Sequence, residues 1–185
     1  MREIAYKRYP VGGPDQTPLY AFLQLLKQHK LADEDIEQIE VSVSRGAFQT
    51  VMTNMHTSVH MPVILSLAAV YGDITFPHIH DPKYQEDPRF IAFRKRARIF
   101  IIPRPDRATK GQRLEMTVTV RTRKGEALSQ ELRYPLMTEA ELRTKFHTLA
   151  GMRLDSGRVA ALEKRLLAME SETDVAGFMT ELELD

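Results

Sequence analysis

From Leu114 to Val120 the chain alternates without a break: Leu114, Met116, Val118 and Val120 are apolar, and Glu115, Thr117 and Thr119 between them are polar. Successive side chains on a strand point to opposite faces. A period of two therefore describes a strand with one face in a core and one in water, and such a strand needs a sheet to join. Lys124-Gly125 supplies a turn into a second strand, about 127–134, giving a hairpin. Two further strands are expected. Ile39, Val41 and Val43 alternate with Gln38, Glu40, Ser42 and Ser44, and Ile99 to Ile102 forms a short apolar run that Pro103 should end. The residues from Arg104 to Gly111 read as a polar connection.

Helical spacing lies on both sides of these strands. Thr17-Pro18 offers a hydroxyl cap and a first-turn proline, with Leu19, Phe22, Leu23 and Leu26 following on one face. Pro62 to Val70 is almost wholly apolar and stops at Gly72, as expected of a helix buried on most sides. Phe76 to Pro82 reads as a loop from its prolines, and Asp87-Pro88 opens a short helix carrying Phe90, Ile91 and Phe93.

From Thr138 the period is helical throughout. Thr138 and Glu141 form a capping box, Leu142, Phe146 and Leu149 line one face, and Gly151 closes the segment. Val159, Leu162, Leu166 and Met169 mark a second helix. Val175, Phe178, Met179 and Leu182 mark a third, capped by Thr173. The expected architecture is α+β, with a body over about 1–135 and a helical tail over about 136–185. Short helices are marginal in water, so the tail's stripes call for a surface: the body, a helical domain or a second subunit.

Composition narrows the function. Formal net charge is +1, so there is no global pull toward nucleic acid or an anionic membrane. With no cysteine there is no disulfide framework, thiolate metal site or cysteine nucleophile. The first residues lack the apolar core of a secretory leader, and the longest apolar run, Met61 to Tyr71, is too short to span a bilayer. A soluble, cytoplasmic protein is expected. The basic run Arg94-Lys95-Arg96 with Arg98 reads as a solvated helix face rather than a nucleic-acid patch, given its acidic neighbours Glu86 and Asp87.

Two groups of residues could carry chemistry. Lys7 precedes Val11-Gly12-Gly13-Pro14, and an ammonium beside glycine backbone can converge on a carboxylate; the bland alternative is a solvated lysine beside a turn. His56 and His60 are four apart, and His78 and His80 are two apart with Asp81 adjacent. These spacings fit acid–base groups facing a substrate, a metal site, or hydrogen-bonded loop histidines. The glycine spacing is not that of a phosphate-binding loop, and no serine or threonine has the setting of an activated nucleophile.

Five stretches in order resemble the second half of the MmgE/PrpD family, which includes 2-methylcitrate dehydratases and cis-aconitate decarboxylases. They are Ala5 to Pro14, Glu34 to Val41, His60-Met61-Pro62 with its helix to Gly72, Asp81 to Arg98, and Leu136 to Phe146. The resemblance implies a small α+β lid domain whose C-terminal helices pack on a large helical domain, with the active site between them. It implies removal of water or CO₂ from a small polycarboxylate, without metal or cofactor. Lys7 matches the family's lid lysine, which would hold substrate and stabilise developing charge. Gly13 and Gln16 stand where many members have an arginine and a histidine, and Val63 stands where many have a tyrosine. The loop would then bind substrate through Lys7, Gly12, Gly13 and Gln16, with His60 lining the cleft.

The expectation that follows is a lid subunit of a carbon–oxygen lyase. A separate helical half would bring the main acid–base residues, and the chain alone would be inactive. The rival is a non-catalytic binding or dimerisation module of the same descent. A fragment of a full enzyme is the third reading.

Overall fold

The computed structural model describes residues 6–53, 56–104, 116–132 and 136–180 of the 185-residue chain. The chain divides into two compact units, 1–136 and 137–185. The architecture is α+β with a helical C-terminal segment.

The first unit is built on a four-stranded sheet. Its strands are β1 (Ile36–Ser44), β2 (Arg98–Arg104), β3 (Met116–Thr122) and β4 (Ala127–Leu132), in the order β2-β1-β3-β4. β1 pairs antiparallel with β3, and β3 with β4 through the hairpin, where Gly125 takes the left-handed φ of +86° that the turn requires. β1 and β2 run parallel, so the chain between them must cross over. That crossover carries α2 (Arg45–Thr53), α3 (Met61–Tyr71), α4 (Phe76–His80), α5 (Lys83–Glu86) and α6 (Pro88–Arg96). Preceding them all is α1 (Gly13–His29), packed on β3, β4 and α3. Ile39, Val41, Val43, Val118 and Val120 meet Leu19, Phe22, Leu25, Ile64, Leu65 and Leu67 in one core, as the alternation required. α3 is buried from Ile64 to Val70, its one hydroxyl answered by a bond from Ser66 Oγ to Pro62 O at 2.6 Å, and Gly72 (φ +71°) ends it.

The second unit holds α7 (Glu139–Ala150), α8 (Ser156–Leu167) and α9 (Val175–Thr180). The capping box forms: Thr138 Oγ1 accepts from Glu141 N, and Thr138 N donates to Glu141 Oε2 at 2.8 Å. Glu163 of α8 receives both Arg143 Nη1 (3.2 Å) and His147 Nε2 (3.0 Å) of α7. Val159, Leu162 and Phe178 are this unit's buried apolar residues among those described.

Four expectations need correction. α1 begins at Gly13 with Pro14 in its first turn, so Pro18 lies inside the helix rather than opening it. The segment expected as a loop over 76–82 is helical from Phe76 to His80, because Pro77 sits in the first turn of α4, where its missing N–H costs nothing. Pro103 does not end β2; it pairs with Val43 on an edge strand, where a lost donor can face away from the sheet. The α9 cap is Asp174, whose carboxylate accepts from Gly177 N at 2.9 Å, and not Thr173. α2 was not anticipated at all. Leu114, Leu182 and residues 133–134 lie outside the described residues. Among the described residues no helix is long and apolar enough to cross a membrane.

Candidate functional site

The loop 7–13 leads directly into α1, and one side chain of that helix determines its shape. Gln16 is 3 % exposed. Its Oε1 accepts from Arg8 N (2.9 Å) and Tyr9 N (3.1 Å), and its Nε2 donates to Tyr9 O (2.9 Å) and Val11 O (3.0 Å). A carboxamide has two donors and an oxygen with two lone pairs, and these four bonds occupy all of them. Gln16, expected at the substrate, is thus the internal clamp of the loop.

The loop is also tied to the turn before α3. Gly12 N donates to Ser58 O at 2.6 Å, and a Cβ on Gly12 would stand 3.3 Å from Val59 Cγ1. This bond brings together the starts of two helices. Gly12 is the N-cap residue of α1 and His60 the N-cap residue of α3, and neither start receives a side-chain capping bond. Uncapped helix N-termini carry partial positive charge and favour anions. Gly13 is exposed, with open space where a side chain would be. Lys7 is exposed on the loop, while Arg8 is drawn aside, its guanidinium 5.2 Å from the centre of the Tyr20 ring.

Asp15 is the residue that the sequence reading missed. It is 1 % exposed, and neither carboxyl oxygen has a hydrogen-bond partner among the described residues. Oδ2 would lie 2.7 Å from a Cβ on Gly12, so the carboxyl rests against the loop backbone. As the third residue of α1, Asp15 would ordinarily accept from the N-cap N–H, but Gly12 has given that N–H to Ser58. Burial pushes its pKa up from 3.8 to about 8, against the opposing pull of its own backbone amide and of Lys7. The signal was available: Gly-Gly-Pro-Asp is an uncapped helix start with an acid in its first turn. Reading Thr17-Pro18 as the start hid it.

His60 sits at the other helix start. Its Nδ1 is buried and has no partner among the described residues. Burial, and then the charge of Arg94 on α6, hold its pKa below the usual value, which favours the uncharged ring. Arg94 is exposed, whereas Arg96 pairs with Asp33 (2.6 Å) and Arg98 with Glu37 (2.6 Å).

The remaining histidines are placed elsewhere. His56 and His60 do not share a helix face; each precedes a helical turn in extended backbone. His78 stacks on Tyr71 at 4.8 Å and accepts from Thr75 N through Nδ1, and His80 packs on Phe76 at 4.2 Å. Among the described residues no group of three or more His, Asp or Glu is arranged to hold a metal ion. Val63 follows Pro62 in the first turn of α3 and has no group that moves protons.

The family described as MmgE/PrpD C-terminal domain matches residues 9–170, a span that takes in the loop from Tyr9 onward, both helix starts and Arg94. The chain belongs to the MmgE/PrpD family. The comparison with curated proteins found no match. Lys7 precedes the matched span by two residues, while Gly12, Gly13, Asp15, Gln16 and His60 lie inside it. As an MmgE/PrpD C-terminal domain, the chain brings one lysine, two helix starts without side-chain caps, an imidazole and a buried carboxyl to one corner of its first unit.

Proposed function

We propose that this chain is the substrate-binding lid of an MmgE/PrpD-type lyase acting on a small polycarboxylate, by dehydration or decarboxylation, together with the family's helical half. The observation that carries the reading is the joining of the two uncapped helix starts by the bond from Gly12 N to Ser58 O, with Lys7 on the same loop. A substrate carboxylate over Gly12 and Gly13 meets backbone dipoles, and the Lys7 ammonium adds a full charge that stabilises the anion formed on proton abstraction. Gln16 contributes by holding the loop in shape. His60, at the start of α3 and with its pKa held down by burial, would line the cleft as a proton acceptor. The main acid–base residues come from the helical half, and neither metal nor cofactor takes part.

Calorimetric titration of the full chain with citrate, as the polycarboxylate probe, tests the binding step. Lys7→Ala should weaken binding by about tenfold or more, in line with the loss of a charge-assisted contact. Equal affinity in wild type and variant would sink the role of Lys7. Adding a helical half of the family to the chain should then produce lyase activity that neither component shows alone.

A second reading is a non-catalytic docking or dimerisation module. The exposure of Leu166, Leu167, Met169, Val175 and Met179 in the helical unit favours it. A stable dimer that binds no polycarboxylate, by sedimentation and calorimetry, would establish this alternative.

A further inference from the structure

The unpartnered carboxyl of Asp15 is unusual because a buried acid normally finds donors. A carboxyl with no bond to either oxygen among the described residues has forgone much of its solvation, a cost that a structural role would leave uncompensated. A first-turn acid can be satisfied cheaply by the N-cap N–H of its own helix, as Glu141 is by accepting from Thr138 N at 2.8 Å. At Asp15 the equivalent N–H is committed to Ser58 O, and the carboxyl is left facing the Gly12 backbone.

We propose that Asp15 is the proton-carrying donor of the carboxylate site: the un-ionised acid gives its hydrogen to the substrate carboxylate seated on the Gly12-Gly13 loop, opposite the Lys7 ammonium. The inference rests on the binding reading above and adds a residue and a proton to it. An ionised Asp15 would repel the same ligand, so the site is competent only while the proton is held. Lys7 is the charged side chain that bears on Asp15, and the turn against Gly12 presents Thr57, Ser58 and Val59, none of which titrates near neutrality. The proton is held up to a pH of about 8. The loop therefore selects fully ionised polycarboxylates by a neutral donor and a cation together, and binding at pH 8 draws a proton from solution.

The test is citrate titration of the full chain between pH 6.5 and 9 (chosen to bracket the value of about 8), in buffers of different ionisation enthalpy, for wild type and Asp15→Asn. Wild-type affinity should fall about tenfold per pH unit above 8, with uptake of about half a proton at pH 8. Asp15→Asn keeps the shape and an uncharged donor. It should bind within a few-fold of wild type at pH 7, without the alkaline fall and without proton uptake. Asp15→Ala, retaining the wild-type far-ultraviolet spectrum, should bind at least tenfold more weakly at pH 7. An alkaline fall that persists unchanged in Asp15→Asn, or a binding enthalpy independent of buffer in wild type, would overturn the role of Asp15 while leaving Lys7 and the loop intact. Absence of citrate binding by wild type at every pH would overturn the site itself and this inference with it.

Discussion

The two long buried helices of the first unit, α1 and α3, begin in the opposite way to the helices of the C-terminal unit. In the C-terminal unit Thr138 and Asp155 each accept a backbone N–H of the helix that follows, and Asp174 does the same for α9. In the first unit α1 and α3 begin with no side-chain cap. Burial explains why both arrangements hold. α3 is enclosed from Ile64 to Val70 and α1 buries Leu19, Phe22, Leu25 and Leu26, so packing rather than capping keeps these helices folded. α7 has no buried residue and α8 has Val159 and Leu162, so local bonds must do more there. Stability obtained from a core lets a helix begin without a side-chain cap, whereas the lightly buried helices of the C-terminal unit each carry one.

The largest test of this contrast is side-chain truncation. Leu65→Ala, at a fully buried position of α3, should cost about 2–5 kcal/mol in chemical denaturation. Leu166→Ala, 41 % exposed on α8, should stay within about 1 kcal/mol. Similar losses at both sites would erase the distinction between the units.

The next effect concerns Asp15, and its sign runs against the common case for a carboxyl. Folding raises its pKa from 3.8 to about 8, so between those values the folded state holds a proton that the unfolded chain releases. Its contribution to stability therefore falls as pH rises through that window. Asp15→Asn should make the protein more stable at pH 7 by an amount on the order of 2–4 kcal/mol, shrinking toward pH 4. Urea midpoints at two pH values would check this, and a variant less stable than wild type at pH 7 would count against a buried, unpartnered acid.

A smaller change is expected at a cap. Thr138→Ala should cost about 1 kcal/mol and reduce helicity in the C-terminal unit without altering citrate affinity. Smallest of all is the exposed bridge from Arg143 to Glu139 at 2.7 Å, where Arg143→Ala should leave the melting temperature within error.

What the sequence disclosed follows the same division between local and long-range causes. β1 and β3 were legible because alternation is a local code, and Val41 and Val118 stand opposite each other in register. The Thr138–Glu141 box was legible because both partners lie within one turn. α2 was not. It carries Gly46, Thr50, Val51 and Thr53, weak helix formers, and buries only Val51, so context rather than propensity makes it a helix. At the candidate site, Lys7, Gly12, Gly13 and His60 could be named from residue type and resemblance. The state of Asp15 could not, because it depends on Gly12 bonding to Ser58, a residue far along the chain. The same distance concealed the work of Gln16, which points back into its own loop.

That clamp has a chemical consequence. Gln16 gives two hydrogens to carbonyls and takes two from amides, a pattern that a glutamate of the same length reverses at its nitrogen end. Deamidation, a change of one heavy atom, would set a carboxylate oxygen against Tyr9 O and Val11 O and open the loop from within. The shape of the loop between Lys7 and α1 thus depends on an uncharged amide, and loss of ammonia from that amide is a route by which the loop would come apart with age.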